Sequence, residues 1–332
     1  METQAAQKKT VSSLFHSDAS QRILAFGGLI VLFVVFSFTS PYFTKVDNLM
    51  GILLATAVNA VLALGVTFVI INAGIDLSVG TVMTLSAVMA GVFITFWKLP
   101  VPLGVLAGLA TGALCGLTNG TFISRMRIPP FIATLGMMYI AKGLSLVISG
   151  LAPIYFNDTP AFNKIAMGSV VGGVFPGFPV PNAVLIMFVA AFVAALILNR
   201  TVLGRYCYAI GSNEEATRLS GVNVATWKTL IYGLCGLFAG LGGVLMASRL
   251  NSAQPALGAG YELDAIAAVV IGGTSLSGGE GSILGTVIGA FVISTLSNGL
   301  RIMSVPQEWQ IVITGLIVIG AVYLDILRRR RE

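Results

Sequence analysis

The sequence predicts an all-α membrane protein, a polytopic transmembrane helical bundle of about ten spans that contains an internal repeat. Of the 332 residues, 56% are hydrophobic and only 10% are charged, whereas soluble domains carry roughly 25% charged residues. The mean hydropathy is +0.93. Apolar segments near the ~20 residues that a bilayer core requires recur along the whole chain, and basic residues cluster between them.

Ten apolar segments are expected to cross the bilayer, and the one at 262–275 is the shortest. In chain order they cover residues 23–38, 49–71, 77–97, 100–123, 129–150, 182–199, 225–248, 262–275, 282–303 and 309–327. They define a membrane domain, 23–327, between a polar tail, 1–22, and a basic tail, 328–332. A signal peptide is the competing interpretation of the first segment, but the many later spans favour a retained helix.

The basic residues predict that both the N- and C-termini are cytoplasmic. Cytoplasmic loops are enriched in Lys and Arg, and this orientation places 13 of the 19 basic residues on that side. It also makes 151–181 the longest outer loop and 200–224 the longest internal cytoplasmic loop.

Composition excludes several other classes. The net charge of +6 is explained by insertion into a membrane, so no nucleic-acid partner is expected. Cys115, Cys207 and Cys235 have no paired spacing and predict neither disulfides nor a metal site. His16 lies in the polar tail and is expected to be solvated.

A Gly/Ser-rich break separates two apolar segments within residues 262–289. It contains Leu-Ser-Gly-Gly-Glu at 276–280, which is similar to the signature of ATP-binding-cassette (ABC) ATPases. A P-loop also needs a Gly-Lys pair to hold phosphates, and no such pair occurs in the chain. The sequence therefore predicts no nucleotide binding by this chain.

The same pattern occurs near the start of the chain. Residues 74–80 and 273–279 match at four of seven positions with an offset of 199, which indicates an internal duplication. Glycine-interrupted apolar segments in corresponding halves are typical of transport proteins. The candidate helix-break residues are Gly74, Asp76, Ser78, Gly80, Gly273, Ser277, Gly278 and Gly279.

The fourth segment carries glycine at every fourth position from Gly104 to Gly120. Small residues at this spacing allow helix backbones to approach closely in lipid. A packing seam inside one subunit is favoured, and a dimer seam is the alternative. Gly236 with Gly240, and Gly285 with Gly289, are shorter versions.

Four ionisable residues fall in or beside apolar segments. A charge is costly there, so each of these residues is expected to have a structural or functional role. Asp76 lies at the first break, either as a structural cap or as a substrate ligand. Lys142 lies within a span, and Glu262 and Asp264 are expected at the outer mouth, where water can solvate them. No chain of charges suited to proton relay is visible, which counts against an ion-coupled carrier.

The loop 200–224 predicts a short helix. Asn213 or Ser212 can cap it, Glu214 and its neighbour suit the first turn, and Gly221 can end it. Leu219 would then be exposed outside the membrane. Docking of a cytoplasmic partner and an ordinary surface turn both remain open on the residues alone.

The sequence resembles the permease subunits of bacterial ABC importers for simple sugars, the ribose permease group especially. The resemblance covers nearly all of 45–325. It rests on NAGIDLSVG at 72–80, PPFIATLGMM at 129–138, LGRYCYAIGSNEEATRLSGVNV at 203–224 and SAQPALGAGYELDAIAAVVIGGTSLSGGEGS at 252–282. Relatives that carry other sugars share these stretches, so the sugar itself is not predicted.

The resemblance implies a dimer of this chain in the bacterial inner membrane, a cytoplasmic ATPase that binds ATP and Mg²⁺, and a periplasmic binding protein that delivers a monosaccharide. The chain itself is expected to hold no cofactor or metal and to catalyse no reaction. Residues expected to couple it to the ATPase are Asn213, Glu214, Ala216, Thr217, Arg218, Leu219, Ser220 and Gly221.

Uncharged polar groups and aromatic faces are expected to line the sugar pathway between two copies, because a tight site would retain the sugar. The candidates are Asn59, Phe131 and Asn298. An ion-coupled secondary sugar transporter that needs no ATPase is the alternative function.

Overall fold

A computed structural model describes residues 18–175 and 179–329. The predictions for His16, for most of the tail 1–22 and for the last three residues lie outside this part of the chain. The described secondary structure is helical apart from one pair of two-residue strands, which confirms the predicted helical class.

Fourteen helices and two strands follow one another in the described chain. Helices α1 to α5 are Asp18–Thr39, Val46–Ile71, Val79–Gly91, Val101–Ser124 and Pro130–Ser149, and a π-helical turn, Val92–Phe96, prolongs α3. Strand β1, Ile154–Tyr155, precedes α6 to α11, which are Pro160–Met167, Val170–Val174, Asn182–Arg200, Val202–Ser212, Glu214–Leu219 and Val224–Leu250. Strand β2, Ser252–Ala253, precedes α12 to α14, which are Tyr261–Ile271, Ile283–Ile302 and Gln307–Arg329.

Seven described helices are long and apolar enough to cross a membrane: α2, α3 with its π-helical turn, α4, α5, α8, α11 and α13. Two further predicted spans correspond to shorter apolar stretches, Leu24–Thr39 and Gln307–Gly320. The span predicted at 262–275 overlaps a single helix, α12, of only 11 residues. That helix is about 16 Å long, too short for a hydrocarbon core of about 30 Å. The described helices thus fall short of ten full-length spans.

Helix α2 forms the centre of the bundle. The most apolar 18 residues of α2 are 89% buried, compared with 22% for the corresponding stretch of α4 and 28% for that of α5. Helix α2 packs against α8, α11, α12 and α13. A helix that is apolar on every side is stable only where other helices or lipid surround it. The exposed apolar faces of α4, α5 and α8 are therefore suited to contact lipid or another membrane helix.

The glycine stripe of α4 packs inside the chain, against α11. A Cβ atom added at Gly112 would overlap the carbonyl oxygen of Gly236 and lie 2.7 Å from the nitrogen of Gly240, and one added at Gly120 would lie 2.6 Å from the Cα of Thr229. The predicted intramolecular seam is thus present, and α11 occupies the face that a dimer seam would need. Gly285 likewise meets the backbone of Gly272.

Both predicted helix breaks are present, but they align differently from the sequence match. Helix α2 ends in a Schellman turn in which Ala73 N–H donates to Ile70 and Gly74 N–H donates to Val69. Helix α12 ends in the same turn, formed by Gly273 and Thr274. The structural offset is therefore 200 at the helix ends rather than 199. It increases to 204 at the next helix starts, where Ser78 and Ser282 are the N-cap residues.

The two ends of the bundle differ. Helices α9 and α10 lie at the end where α11 begins, which we call the α10 side. At the far end of α11, β1 pairs with β2 and Ile154 lies opposite Ala253. There the hydroxyl of Ser248 donates to the Phe162 carbonyl at 2.6 Å and accepts from Ala166 N–H at 2.9 Å. These bonds dock α6 onto the bundle at what we call the hairpin side.

Candidate functional site

Helix α10 has the local geometry that the sequence predicted. The Asn213 side chain is its N-cap and accepts a hydrogen bond from Ala216 N–H at 2.9 Å. Glu214 and Glu215 occupy the first turn, next to the positive end of the helix dipole, and Glu215 pairs with Arg218. The chain leaves the helix through Gly221, at a φ of 84°, where glycine carries no steric penalty.

The candidate coupling residues form an exposed surface at this end of the chain. Seven of the eight are exposed, Leu219 to 80%, and Thr217 alone is buried. The Thr217 hydroxyl donates to the Asn213 carbonyl at 2.8 Å. A largely exposed leucine among charged neighbours suits contact with a protein surface.

Helix α10 is attached to the long helix α11 by an ion pair. The ammonium of Lys228 lies 2.6 Å from the Glu214 carboxylate, and the lysine side chain is only 16% exposed. Tyr206 of α9 and Trp227 of α11 add an aromatic contact with ring centroids 4.9 Å apart. A force on α10 therefore has a direct route to α11 through the ion pair and an indirect one through α9.

The end of α9 lies against both helix breaks at once. A Cβ atom at Gly211 would overlap the carbonyl oxygen of Ile71 and lie 2.7 Å from the nitrogen of Gly279. Gly279 N–H itself donates to the Ile71 carbonyl at 2.8 Å. We call this cluster of Ile71, Ala73, Gly211, Gly278 and Gly279 the backbone junction.

The first break is held by buried polar contacts. The Asp76 carboxylate accepts from the N–H and the hydroxyl of Ser78, at 2.8 and 2.6 Å, and Asn119 of α4 donates to the same hydroxyl at 2.9 Å. Burial raises the pKa of the Asp76 carboxyl, and the hydrogen bonds from Ser78 oppose that shift. The Asp76 side chain thus holds the turn that leads into the N-cap residue Ser78, which is a structural role, the first of the two interpretations of Asp76.

The second break forms a tight turn of backbone. Gly278 and Gly279 have φ angles of 85° and 76°, which glycine adopts without strain. Ser275 N–H donates to the Glu280 carbonyl at 3.1 Å, and the Tyr208 hydroxyl donates to the Gly281 carbonyl at 2.8 Å. The glycines thus serve the turn and its packing against α9, which explains the signature-like sequence without a nucleotide.

The three pathway candidates do not lie together. Asn59 of α2 donates to Ser294 of α13 at 3.3 Å, and Asn298 of α13 donates to Asn48 of α2 at 2.9 Å. Both asparagines therefore join two helices. Phe131 is 51% exposed near the start of α5, a helix that packs against α3 and α4.

The expectation that Glu262 is solvated is wrong. Its side chain is 8% exposed, one oxygen accepts from Gly260 N–H at 3.0 Å, and the other has no hydrogen-bond partner among the described residues. Gly80 faces the Glu262 carboxylate and the backbone of Gly258. The segment before α12 packs Gly258 against Gly80, so protein covers the Glu262 side chain although the neighbouring Leu263 is 59% exposed.

Gly211 and Lys228, which lie next to α10, were not among the predicted site residues. A glycine within a helix costs about 1 kcal/mol relative to alanine, so Gly211 was a signal of close backbone approach. Lys228 was counted only as one of the 13 basic residues predicted on the cytoplasmic side. Its pairing with Glu214 depends on how α10 folds back against α11, and no spacing along the chain indicates that.

Long apolar helices with two glycine-rich breaks, and an exposed polar helix beside those breaks, define the class of a polytopic membrane transport protein. Residues 48–322 match the family model described as branched-chain amino acid transport system / permease component. The chain belongs to this permease family, which is not a family of catalytic enzymes.

Curated relatives share most of their length with this chain. It is similar to the ribose import permease protein RbsC of Escherichia coli (strain K12), 42% identical over 90% of this chain and 91% of the relative. It is also similar to RbsC of Bacillus subtilis (strain 168), 41% identical over 96% and 97%. The galactose/methyl galactoside import permease protein MglC of Salmonella typhimurium (strain LT2) is 38% identical over 92% and 94%. No solved structure gives a significant match.

Proposed function

We propose that this chain is the membrane-spanning subunit of an ABC importer that moves a monosaccharide, ribose or a related sugar, into the bacterial cytoplasm. The exposed, capped helix α10 carries this proposal, because it is exposed at the surface while the helix before it, α9, ends at the backbone junction. The relatives named for ribose and galactoside import support the sugar class. They also favour an ABC importer over an ion-coupled secondary transporter.

The proposed assembly has a fixed orientation in the inner membrane. The α10 side, the tails 1–22 and 328–332 and the loop 200–224 lie in the cytoplasm, and the segment 151–181 faces the periplasm. Two copies of the chain form the pathway. A cytoplasmic ATPase holds ATP and Mg²⁺, and a periplasmic binding protein delivers the sugar, so this chain needs no cofactor.

The contacts at the α10 side suggest how the ATPase drives transport. When ATP closes the ATPase dimer, its surface displaces α10 as a rigid body. The Glu214–Lys228 pair passes this displacement to α11, and the packing of Gly211 passes it to the ends of α2 and α12. Because both breaks meet at one junction, a single displacement can change the position of two helix pairs. Alternating access then requires only that ATP favours one of the two arrangements.

Sugar uptake by the reconstituted complex tests this proposal. Leu219→Asp places a charge on the apolar contact of α10, and we expect it to lower uptake at least about tenfold, since a desolvated charge without a partner is costly at a protein interface. The ATPase activity that the loaded binding protein stimulates should fall in parallel.

Met126→Asp is the matched control, because Met126 is also exposed and follows α4 at the α10 side. It should leave uptake and ATPase activity near the wild-type level. Normal stimulated ATPase activity in Leu219→Asp would refute the coupling role. Sugar transport by the chain alone, without ATP, would establish the secondary transporter instead.

A further inference from the structure

Lys142 is a charged side chain deep within an apolar helix. It is the thirteenth of the 20 residues of α5, so about 18 Å of helix separate it from Pro130 and about 10 Å from Ser149. The side chain is exposed on the single chain, and no described acidic residue forms an ion pair with it. Ionisable residues at such depth mostly face a bundle interior or a water-filled cavity, because lipid solvates them poorly.

Lys142 borders a small cavity whose accessible lining is mostly apolar. Thr81 and Thr84 of α3 line one wall, and the non-helical segment 255–259 lines another. The cavity has a volume of about 10 Å³, room for about one water molecule and far less than the 300–1,000 Å³ of typical ligand pockets. It cannot enclose a sugar, so it can only border one that passes.

The segment beside the cavity is irregular backbone packed on the bundle, with Pro255 and Gly258 buried and Ala256 and Ala259 exposed. Between β2 and α12 the chain has no regular helix or strand, and Gly258 packs on Gly80 at the start of α3. Non-helical backbone within the depth of a membrane is tolerated only where protein surrounds it or where it lines a water-filled space. Such segments commonly mark the substrate sites of transporters.

The group that can reach a polyol here is the Lys142 ammonium, which offers three donors to sugar hydroxyls. The hydroxyls of Thr81 and Thr84 donate to the carbonyls of Ser78 and Gly80, at 3.0 and 3.2 Å, and both side chains are only 4% exposed. A fixed positive charge there also repels cations, which an importer of neutral sugars must keep from leaking.

The aromatic pathway candidate, Phe131, lies on the same face of α5 as Lys142. Phe131 and Lys142 are eleven residues apart, which places them about 20° apart around the helix and about 16 Å apart along it. Phe131 is exposed, and an apolar ring suits the C–H face of a sugar. The two side chains therefore define one continuous stripe along α5.

We propose that Lys142 faces the water-filled pathway and donates hydrogen bonds to the hydroxyl groups of the neutral monosaccharide as it passes the cavity beside Thr81 and Thr84. This inference rests on the proposed function, since it assigns the sugar of that importer to one face of α5. It places the pathway along α5 and α3 rather than at the asparagines between α2 and α13.

Chemical accessibility tests the location without depending on transport. Lys142→Cys in the full complex is treated with a charged, membrane-impermeant methanethiosulfonate, and mass spectrometry reads modification at residue 142, so the native cysteines remain in place. Val147→Cys is the control, because Val147 is 78% exposed but lies about 140° away around the helix.

We expect modification of Lys142→Cys to be at least about tenfold faster than that of Val147→Cys, and saturating ribose or galactose delivered by the binding protein to slow it. Equal rates at the two positions, or no modification at either, would show that Lys142 faces lipid or a second copy and would overturn the proposal. Failure of the wild-type complex to import any sugar would instead refute the proposed function, and the labelling result would still be readable.

Transport by two further variants tests the contact itself. Lys142→Met keeps the length and removes the charge, and we expect sugar uptake to fall about tenfold while the loaded binding protein still stimulates ATPase activity. Lys142→Arg retains the donors and should keep most of the uptake. Wild-type uptake by Lys142→Met would overturn the assignment.

Discussion

Helix α10 and the backbone junction lie next to each other and are built in opposite ways. Seven of the eight α10 candidates are exposed, and the helix is held by side chains: a capping asparagine and two ion pairs. The junction consists largely of main-chain atoms that approach too closely to admit a Cβ. Substitutions on α10 can therefore alter which protein surface it binds without disturbing the fold. At the junction, by contrast, almost any added side-chain atom would displace the main chain.

This difference separates two kinds of mutational effect. Changes at the junction should act on the folded chain, because interiors transmit strain and cannot expand locally. Changes on α10 should act on transport, since exposed ion pairs add little to stability. We rank the following variants by their expected effect on the free energy of unfolding, measured as thermal midpoints in detergent.

Gly211→Ala should have the largest effect. The new methyl group would overlap the Ile71 carbonyl oxygen and approach Gly279, and overpacking of this kind costs about 1–3 kcal/mol or more. Gly136→Ala in α5 is the control, because a Cβ there meets nothing within 4 Å. In a helix that change should be neutral or slightly stabilising. A Gly211→Ala chain as stable as Gly136→Ala would show that the junction is loosely packed.

The sequence was sufficient to predict the elements whose signals are local. The cap at Asn213, the end at Gly221 and the seven long helices all follow from residue type and apolar length. The glycine stripe also indicated close packing, because its period matches a helix face.

The contacts between distant segments were not predictable in the same way. The buried position of Glu262 depends on the chain folding back before α12, which no periodicity records. The repeat was found, but its offset was wrong by one at the helix ends, because sequence matching aligned Gly74 with Gly273 while the backbone places Ala73 at the equivalent position. An alanine at a φ of 56° gives no sequence signal for such a turn.

Asn119→Ala should have an intermediate effect. It removes the donor that reaches the Ser78 hydroxyl beneath α4, and the loss of one partner of a buried hydrogen bond costs about 1–3 kcal/mol. Thr118→Ala on the same helix is the control, because the Thr118 hydroxyl is exposed and bonds only to its own helix. The control should change stability by less than about 0.5 kcal/mol. Equal midpoints for the two variants would mean that α4 does not support the first break.

Glu214→Arg should have the smallest effect on stability and the sharpest one on transport. It replaces an attraction to Lys228 by repulsion, and because the glutamate side chain is half exposed the cost should stay below about 1 kcal/mol. Uptake should nevertheless fall about tenfold or more, since α10 would lose its attachment to α11.

The double variant Glu214→Arg with Lys228→Glu distinguishes attachment from partner contact. It restores an ion pair of reversed polarity between α10 and α11 while changing the charge that α10 presents outward. If Glu214 acts mainly by holding α10 to α11, the double variant should recover most of the uptake, because the pair is rebuilt where Lys228 is largely shielded from water. If uptake stays lost, Glu214 instead contacts the ATPase directly. In that case α10 is a separate docking element, and force reaches the breaks through α9 alone.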